Sequence, residues 1–377
     1  MSSSTPPVLT YAGAGVNYDE MDPFKRLAQQ AALSTASMLK NHGALELQWS
    51  RGESAHLIQI PGGLIMGTVI EGLGTKNLVA EAMRDITGKT YYDQIAQDTV
   101  AMIVNDLLTL GILPMIVNMH IASGVSKWFT DERRAADLVN GWAKACILAG
   151  AAWGGGESPA LKGIVFPETS LLCGSATGFS AESHILHNNY INDGDAIVIL
   201  GSNGVHANGL TLIRMLAEER LPDGYRTPLS DGRMFGDALL DPTHIYCKVV
   251  EHAIRVAGGK TRSLNYAANI TGHGWRKLMR APQNFEYVIE HIPKPQPVFE
   301  LIQKTAGLDD RQAYETFNMG AGFVLYLPEK FASTVVTMSE MNGIPAMVAG
   351  YVRKSARKRV TIKPLDITYE GHELQVR

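Results

Sequence analysis

One break governs how this chain can fold. Up to about residue 181, short apolar runs alternate with stretches of helical period, and the alternation resumes at Ala196. Between them lies a polar, turn-rich stretch holding Asn188-Asn189 and Asn192-Asp193-Gly194-Asp195. Turn residues at this density close one set of elements before another opens. A chain of 377 residues is also too long for one compact core. The expectation is therefore an α/β (α+β) protein of two domains, residues 1–183 and 184–377, the second ending in a short basic tail.

Within this frame the local signals are specific. Asp22-Pro23 reads as a cap followed by proline, opening an amphipathic helix over 23–40 through Phe24, Leu27, Ala28, Ala31, Thr35 and Met38. Strands are expected over 57–60 and 64–70, joined by Pro61-Gly62-Gly63, then a helix over 93–110 ending at Gly111. Thr130 is the expected cap of a third helix, and 153–156 a glycine loop that ends it. Asp241-Pro242 repeats the cap-plus-proline device ahead of a helix to about Val256.

Charge and composition exclude several classes. The formal net charge of -3 supplies no basic field, so no nucleic-acid partner is expected. The most apolar stretch, Ala101 to Ala122, is interrupted by Asn105, Asp106, Pro114 and Asn118, which argues against a membrane span. Met1 to Val8 has neither a basic nor an apolar leader segment, and the three cysteines show no paired spacing. A cytoplasmic protein is expected.

Six glycine-rich or acidic segments carry candidate chemistry. In Glu71-Gly72-Leu73-Gly74-Thr75-Lys76 a strand runs into two glycines, a hydroxyl and a lysine, a composition that lets backbone amides approach phosphate. Its glycine spacing is not that of a Walker loop. Asp98 and Asn105 are seven residues apart on one helix face, with Asp106 about 80° round. Acid and amide oxygens grouped so suit Mg2+, or simply a solvated helix face. Glu157 follows three glycines; alone it reads as an exposed loop carboxylate or a completing metal ligand. Gly201 to Gly209, with His206 and Asn208, crosses from strand to helix where amides can take an anion. Thr271-Gly272-His273-Gly274 repeats that arrangement, and Asn318-Met319-Gly320-Ala321-Gly322 leads into a strand.

In order and spacing these segments, with Tyr11-Ala12-Gly13-Ala14-Gly15-Val16-Asn17, Leu239 to Tyr246 and Thr316 to Gly320, resemble the phosphoribosylformylglycinamidine cyclo-ligase (aminoimidazole ribonucleotide synthetase) family over Tyr11 to Val352. The resemblance implies an N-terminal sheet domain that pairs into a barrel-like homodimer, with ATP in a cleft near the interface. It implies ATP-dependent ring closure of a small-molecule substrate, formylglycinamidine ribonucleotide, in purine biosynthesis. Carried over residue by residue, Lys76, Asp98 and His206 become catalytic, and Gly72, Gly74, Thr75, Asn105 and Asp106 contact the nucleotide. Asn208, Thr271 and Gly272 face the ribonucleotide, and Glu71, Asp98 and Glu157 hold Mg2+. The family pattern is departed from at Glu71, Ser158, His273 and Glu315, where aspartate, threonine, glycine and arginine are usual. A paralogue acting on another amide or phosphate acceptor, a small-metabolite kinase or a catalytically silent homologue are the alternative readings.

Overall fold

The computed structural model describes residues 13–15, 17–258 and 262–374. Tyr11, Ala12 and Val16 of the opening segment lie outside the described residues. The first half holds helix α1 (Tyr18–Ser34) and a six-stranded sheet. Its strands are β1 (Leu45–Glu46), β2 (His56–Gln59), β3 (Leu64–Gly72), β4 (Leu113–Ser123), β5 (Ala152–Glu157) and β6 (Ser170–Ala181), in the order β1-β2-β3-β6-β4-β5. Helices α2 (Lys76–Thr87), α3 (Tyr92–Leu108) and α4 (Glu132–Ala149) connect them. α3 packs on β3, β4 and β6, and α4 packs on α3. The stripe of Val100, Ile103, Val104 and Leu107 is wholly buried, as its spacing requires.

One sheet face stays open. β3 turns Ile65, Gly67 and Val69 toward α3 and its alternate residues outward. Leu64 is 47% exposed, Ile70 75% and Leu171 of β6 49%.

The second half forms a seven-stranded sheet from β7 (Asp195–Gly201), β8 (Tyr266–Asn269), β9 (Phe285–Ile289), β10 (Ala321–Pro328), β11 (Ala346–Lys354), β12 (Arg359–Ile362) and β13 (Ile367–Glu370). Their order is β13-β12-β9-β11-β7-β10-β8. The tail after Lys354 thus supplies β12 and β13, the sheet edge. Helices α5 (Leu210–Glu219), α6 (Phe235–Leu239), α7 (Cys247–Arg255), α8 (Pro297–Ala306), α9 (Asp310–Thr316) and α10 (Ala332–Met341) complete this half. Among the described residues no helix is long and apolar enough to cross a membrane.

The structure corrects four local expectations. α1 begins at Tyr18 and carries Pro23 inside it, and a 3-10 turn over Ala36–His42 replaces its expected last turns. Its apolar residues Phe24 and Leu27 remain exposed. α4 is capped by Asp131, whose carboxylate accepts from the Arg134 amide at 3.0 Å, while the Thr130 hydroxyl donates to Lys127 O. The segment 153–156 is a strand, not a loop. A side chain at Gly154 would meet Ile116 at 2.5 Å and Asn118 at 2.7 Å, so glycine is what lets β5 lie parallel beside β4. Asp241-Pro242 opens no helix; α7 starts only at Cys247. Residues 241–246 run as an irregular strap whose backbone groups are taken by side chains of the first half.

Candidate active site

Helix α3 presents one face to its sheet and the opposite, polar face to the 241–246 strap. Gln97 Nε2 donates to Thr243 O at 3.0 Å. Asp98 Oδ1 accepts from the Thr243 amide at 2.8 Å and from its hydroxyl at 2.5 Å. About two turns along, Asn105 Nδ2 donates to His244 O at 2.8 Å and Asn105 Oδ1 accepts from the Tyr246 amide at 3.1 Å. The solvated-face reading of α3 is thereby excluded for these residues. Backbone groups that a helix would have paired internally are satisfied across the two halves instead.

Lys76 opens α2 and joins the same network. Its ammonium lies 2.8 Å from Asp98 Oδ2 and donates to Asp241 O at 2.9 Å, and neither Lys76 nor Asp98 has any side-chain exposure. Burial opposes the charge on Asp98, and Lys76 with Thr243 favours it. Thr243 thus donates to Asp98 Oδ1, while the Lys76 ammonium faces Oδ2 as an ion pair. His206 stands beside this pair, in the left-handed region at φ 58°, 2% exposed, with Nε2 unpartnered. Burial, then His244 and Lys76, hold its imidazole well below the ordinary value. The three residues expected to be catalytic, Lys76, Asp98 and His206, are thus brought together, in a dry cluster. Around it Asn208 Nδ2 and Thr75 Oγ1 are buried without partners among the described residues. Thr75 caps α2 without bonding its amides, and Gly72 and Gly74 ahead of it are exposed.

A second cluster lies eight residues further along α3, about 12 Å on. Asp106 Oδ1 accepts from Asn269 Nδ2 of β8 at 2.8 Å. Glu71, at the end of β3, faces the Asp106 carboxyl group, and burial followed by that neighbouring charge pushes Glu71 up to about 7. Lys277, 8% exposed, donates from Nζ to the Thr271 hydroxyl. Burial brings Lys277 down to about 8, while Asp106 and Glu71 act the other way. His273, beside Thr271-Gly272, is also left-handed at φ 72°. Arg280 ties the same turn to the first half through Glu53 at 3.1 Å.

Sequence reasoning assigned no role to Lys277, Asn269 or Thr243. A lysine set between Trp275 and Leu278-Met279 was the available signal. Of the expected metal ligands, Glu71 lies with Asp106, Asp98 lies with Lys76, and Glu157 is exposed at the end of β5, in register with His120. Among the described residues no three His, Cys, Asp or Glu side chains converge as a metal-binding group. A cleft of about 540 Å³ opens near Arg51, Glu53, Thr68 and Ile70, on the strand that carries Glu71, and the Lys76 cluster does not line it.

Residues 52–178 match the N-terminal domain, and residues 192–363 the C-terminal domain, of AIR synthase related proteins. The chain belongs to that family. A phosphoribosylformylglycinamidine cyclo-ligase of Carboxydothermus hydrogenoformans is 31% identical over 358 residues, covering 93% of this chain and 98% of the relative. Among solved structures, the HypE-HypF complex aligns with a TM-score of 0.57 at 15% identity, over 86% of this chain and 94% of the other. The thiamine monophosphate kinase of Aquifex aeolicus aligns at 0.51 and 16%, over 81% and 89%. The AIR synthase related family therefore shares its two-sheet α/β fold with these more distant proteins.

Proposed function

We propose that the chain is a phosphoribosylformylglycinamidine cyclo-ligase, converting formylglycinamidine ribonucleotide and ATP to aminoimidazole ribonucleotide, ADP and phosphate. The observation that carries this reading is the match to a cyclo-ligase along almost the whole of both chains. In the reaction the formyl oxygen attacks the terminal phosphorus of ATP, forming a C–O–P linkage and releasing ADP. An amidine nitrogen then attacks the same carbon, the C–O bond breaks, and phosphate leaves. The protein's task is to position the reactants and compensate charge.

The residues fit that task. Glu71 and Asp106 offer paired hard oxygens whose mutual repulsion a divalent cation would relieve, so they are the ligands we assign to Mg2+, with Glu157 as a more remote candidate. Mg2+ held there would neutralise phosphate charge. Gly72, Gly74 and the unpartnered Thr75 hydroxyl sit at the start of α2, where amides point outward, and suit the nucleotide phosphates. Asn208, His206, Thr271 and Gly272 face the ribonucleotide. Lys76, Asp98 and Asn105 position the site by fixing α3 against the strap. A second copy of the chain covers the open face of the six-stranded sheet.

The test is turnover by the purified chain with formylglycinamidine ribonucleotide, ATP and Mg2+. Free phosphate and a diazotisable amine in equal amounts support the reading. ADP with a phosphorylated product would mean a kinase, and complementation of a purine auxotroph gives an independent check.

A further inference from the structure

We propose that Lys277 is the lysine that grips a reactant's phosphoryl group at the junction of the two halves, a role the motif order would give to Lys76. The inference rests on reading this site as one for phosphoryl transfer. Lys76 is spent: Asp98 and Asp241 O hold its ammonium at 2.8 and 2.9 Å, and its side chain has no exposure. Lys277 is buried too, at 8% exposure, but its ammonium is less fully engaged. Thr271 Oγ1 is the one hydrogen-bond partner of its ammonium among the described residues, and an ammonium carries three donors.

Its surroundings select the ligand. Asp106, fixed by Asn269 at 2.8 Å, and Glu71 are the carboxylates that act on Lys277, and Arg280 is the nearby cation. A phosphate cannot approach two bare carboxylates against Coulomb repulsion. With a divalent cation on Glu71 and Asp106 the balance reverses: two carboxylates, one ammonium and one divalent cation leave a net positive charge. The cation then engages one side of a phosphoryl group and the Lys277 donors the other. The 3-10 turn Gly274–Met279 holds Lys277 in place between Trp275 and Leu278, both buried. The group is either the terminal phosphate of the nucleotide or the phosphate of the ribonucleotide, and the two are separable by experiment.

Calorimetric titration of wild type, Lys277→Met and Lys277→Arg with Mg2+ and AMPPNP, AMP or ribose 5-phosphate tests this. A charge-assisted contact predicts that Lys277→Met weakens AMPPNP binding by roughly 10- to 100-fold, leaves AMP within about twofold, and is largely rescued by Lys277→Arg. The same loss on ribose 5-phosphate, with AMPPNP unchanged, assigns the ribonucleotide phosphate instead. Wild-type binding of both probes by a folded Lys277→Met protein overturns the proposal. Should that variant not fold, Lys277→Gln, which keeps a donor for Thr271, carries the same comparison. Lys277-dependent AMPPNP binding without ring closure would sink the proposed function and leave Lys277 standing. Ring closure with Lys277-independent binding would do the reverse.

Discussion

Lys76 and Asp98 form an ion pair of 2.8 Å that bridges α2 and α3, with both side chains sealed from solvent. Breaking one side of such a pair leaves a bare buried charge, which typically costs about 3–5 kcal/mol. Lys76→Met and Asp98→Asn should each lower stability by about that amount in urea unfolding. The double variant Lys76→Met/Asp98→Leu should lose less than the two single effects added, because no lone charge remains. Single variants within about 0.5 kcal/mol of wild type would contradict the burial seen here.

Asn105 is the second stitch. Asn105→Ala strands a half-buried carbonyl, His244 O, and a buried amide, that of Tyr246. Each unpaired group costs about 1–3 kcal/mol. Hydrogen exchange at the Tyr246 amide should accelerate well before exchange in β7 does. Equal acceleration in both would show global loosening instead.

His206 predicts a pH dependence. Its folded value is well below 6.5 because it is buried, whereas the unfolded chain protonates normally. From about 6.5 down to that lower value the unfolded state binds the proton and the native state does not, so stability present at neutral pH is lost as pH falls. His244 and His273 are depressed by burial too and act in the same direction. The melting temperature should drop between about pH 7 and about pH 5. His206→Asn, which tolerates the left-handed backbone, should flatten part of that drop. An unchanged slope would show that His206 takes up its proton as readily in the fold as in the unfolded chain.

Ile70, 75% exposed on β3, probes the open sheet. If a second copy covers that face, Ile70→Lys should convert a dimer to a monomer in light scattering at micromolar concentration. A wild-type monomer would refute the pairing itself.

What the sequence disclosed, and what it withheld, follows from chain distance. The stripe of α3 and the grouping of Asp98, Asn105 and Asp106 were legible because helical period is local. What that polar face meets was not: Thr243 reaches Asp98 across 145 positions, and nothing near Asp241-Pro242 distinguishes a strap from a capped helix. The glycines at 154–156 read as a loop because the causes of two of them, the side chains of Ile116 and Asn118 at Gly154 and the Met119 backbone at Gly156, lie on another strand. Lys277 stands between Arg276 and Arg280, and its burial depends on elements far along the chain.

The strap over α3 has a thermodynamic consequence. The buried apolar residues form one continuous cluster, from Ala55 to Leu374, across both sheets. Among the polar stitches between the halves, Lys76, Asp98, Asn105 and Thr243 are buried as well. Neither sheet can melt while the other stays folded without uncovering Asp98, Lys76 and His206 together. The chain should therefore unfold cooperatively, as one calorimetric transition with equal van't Hoff and calorimetric enthalpies, although it is built from two sheets.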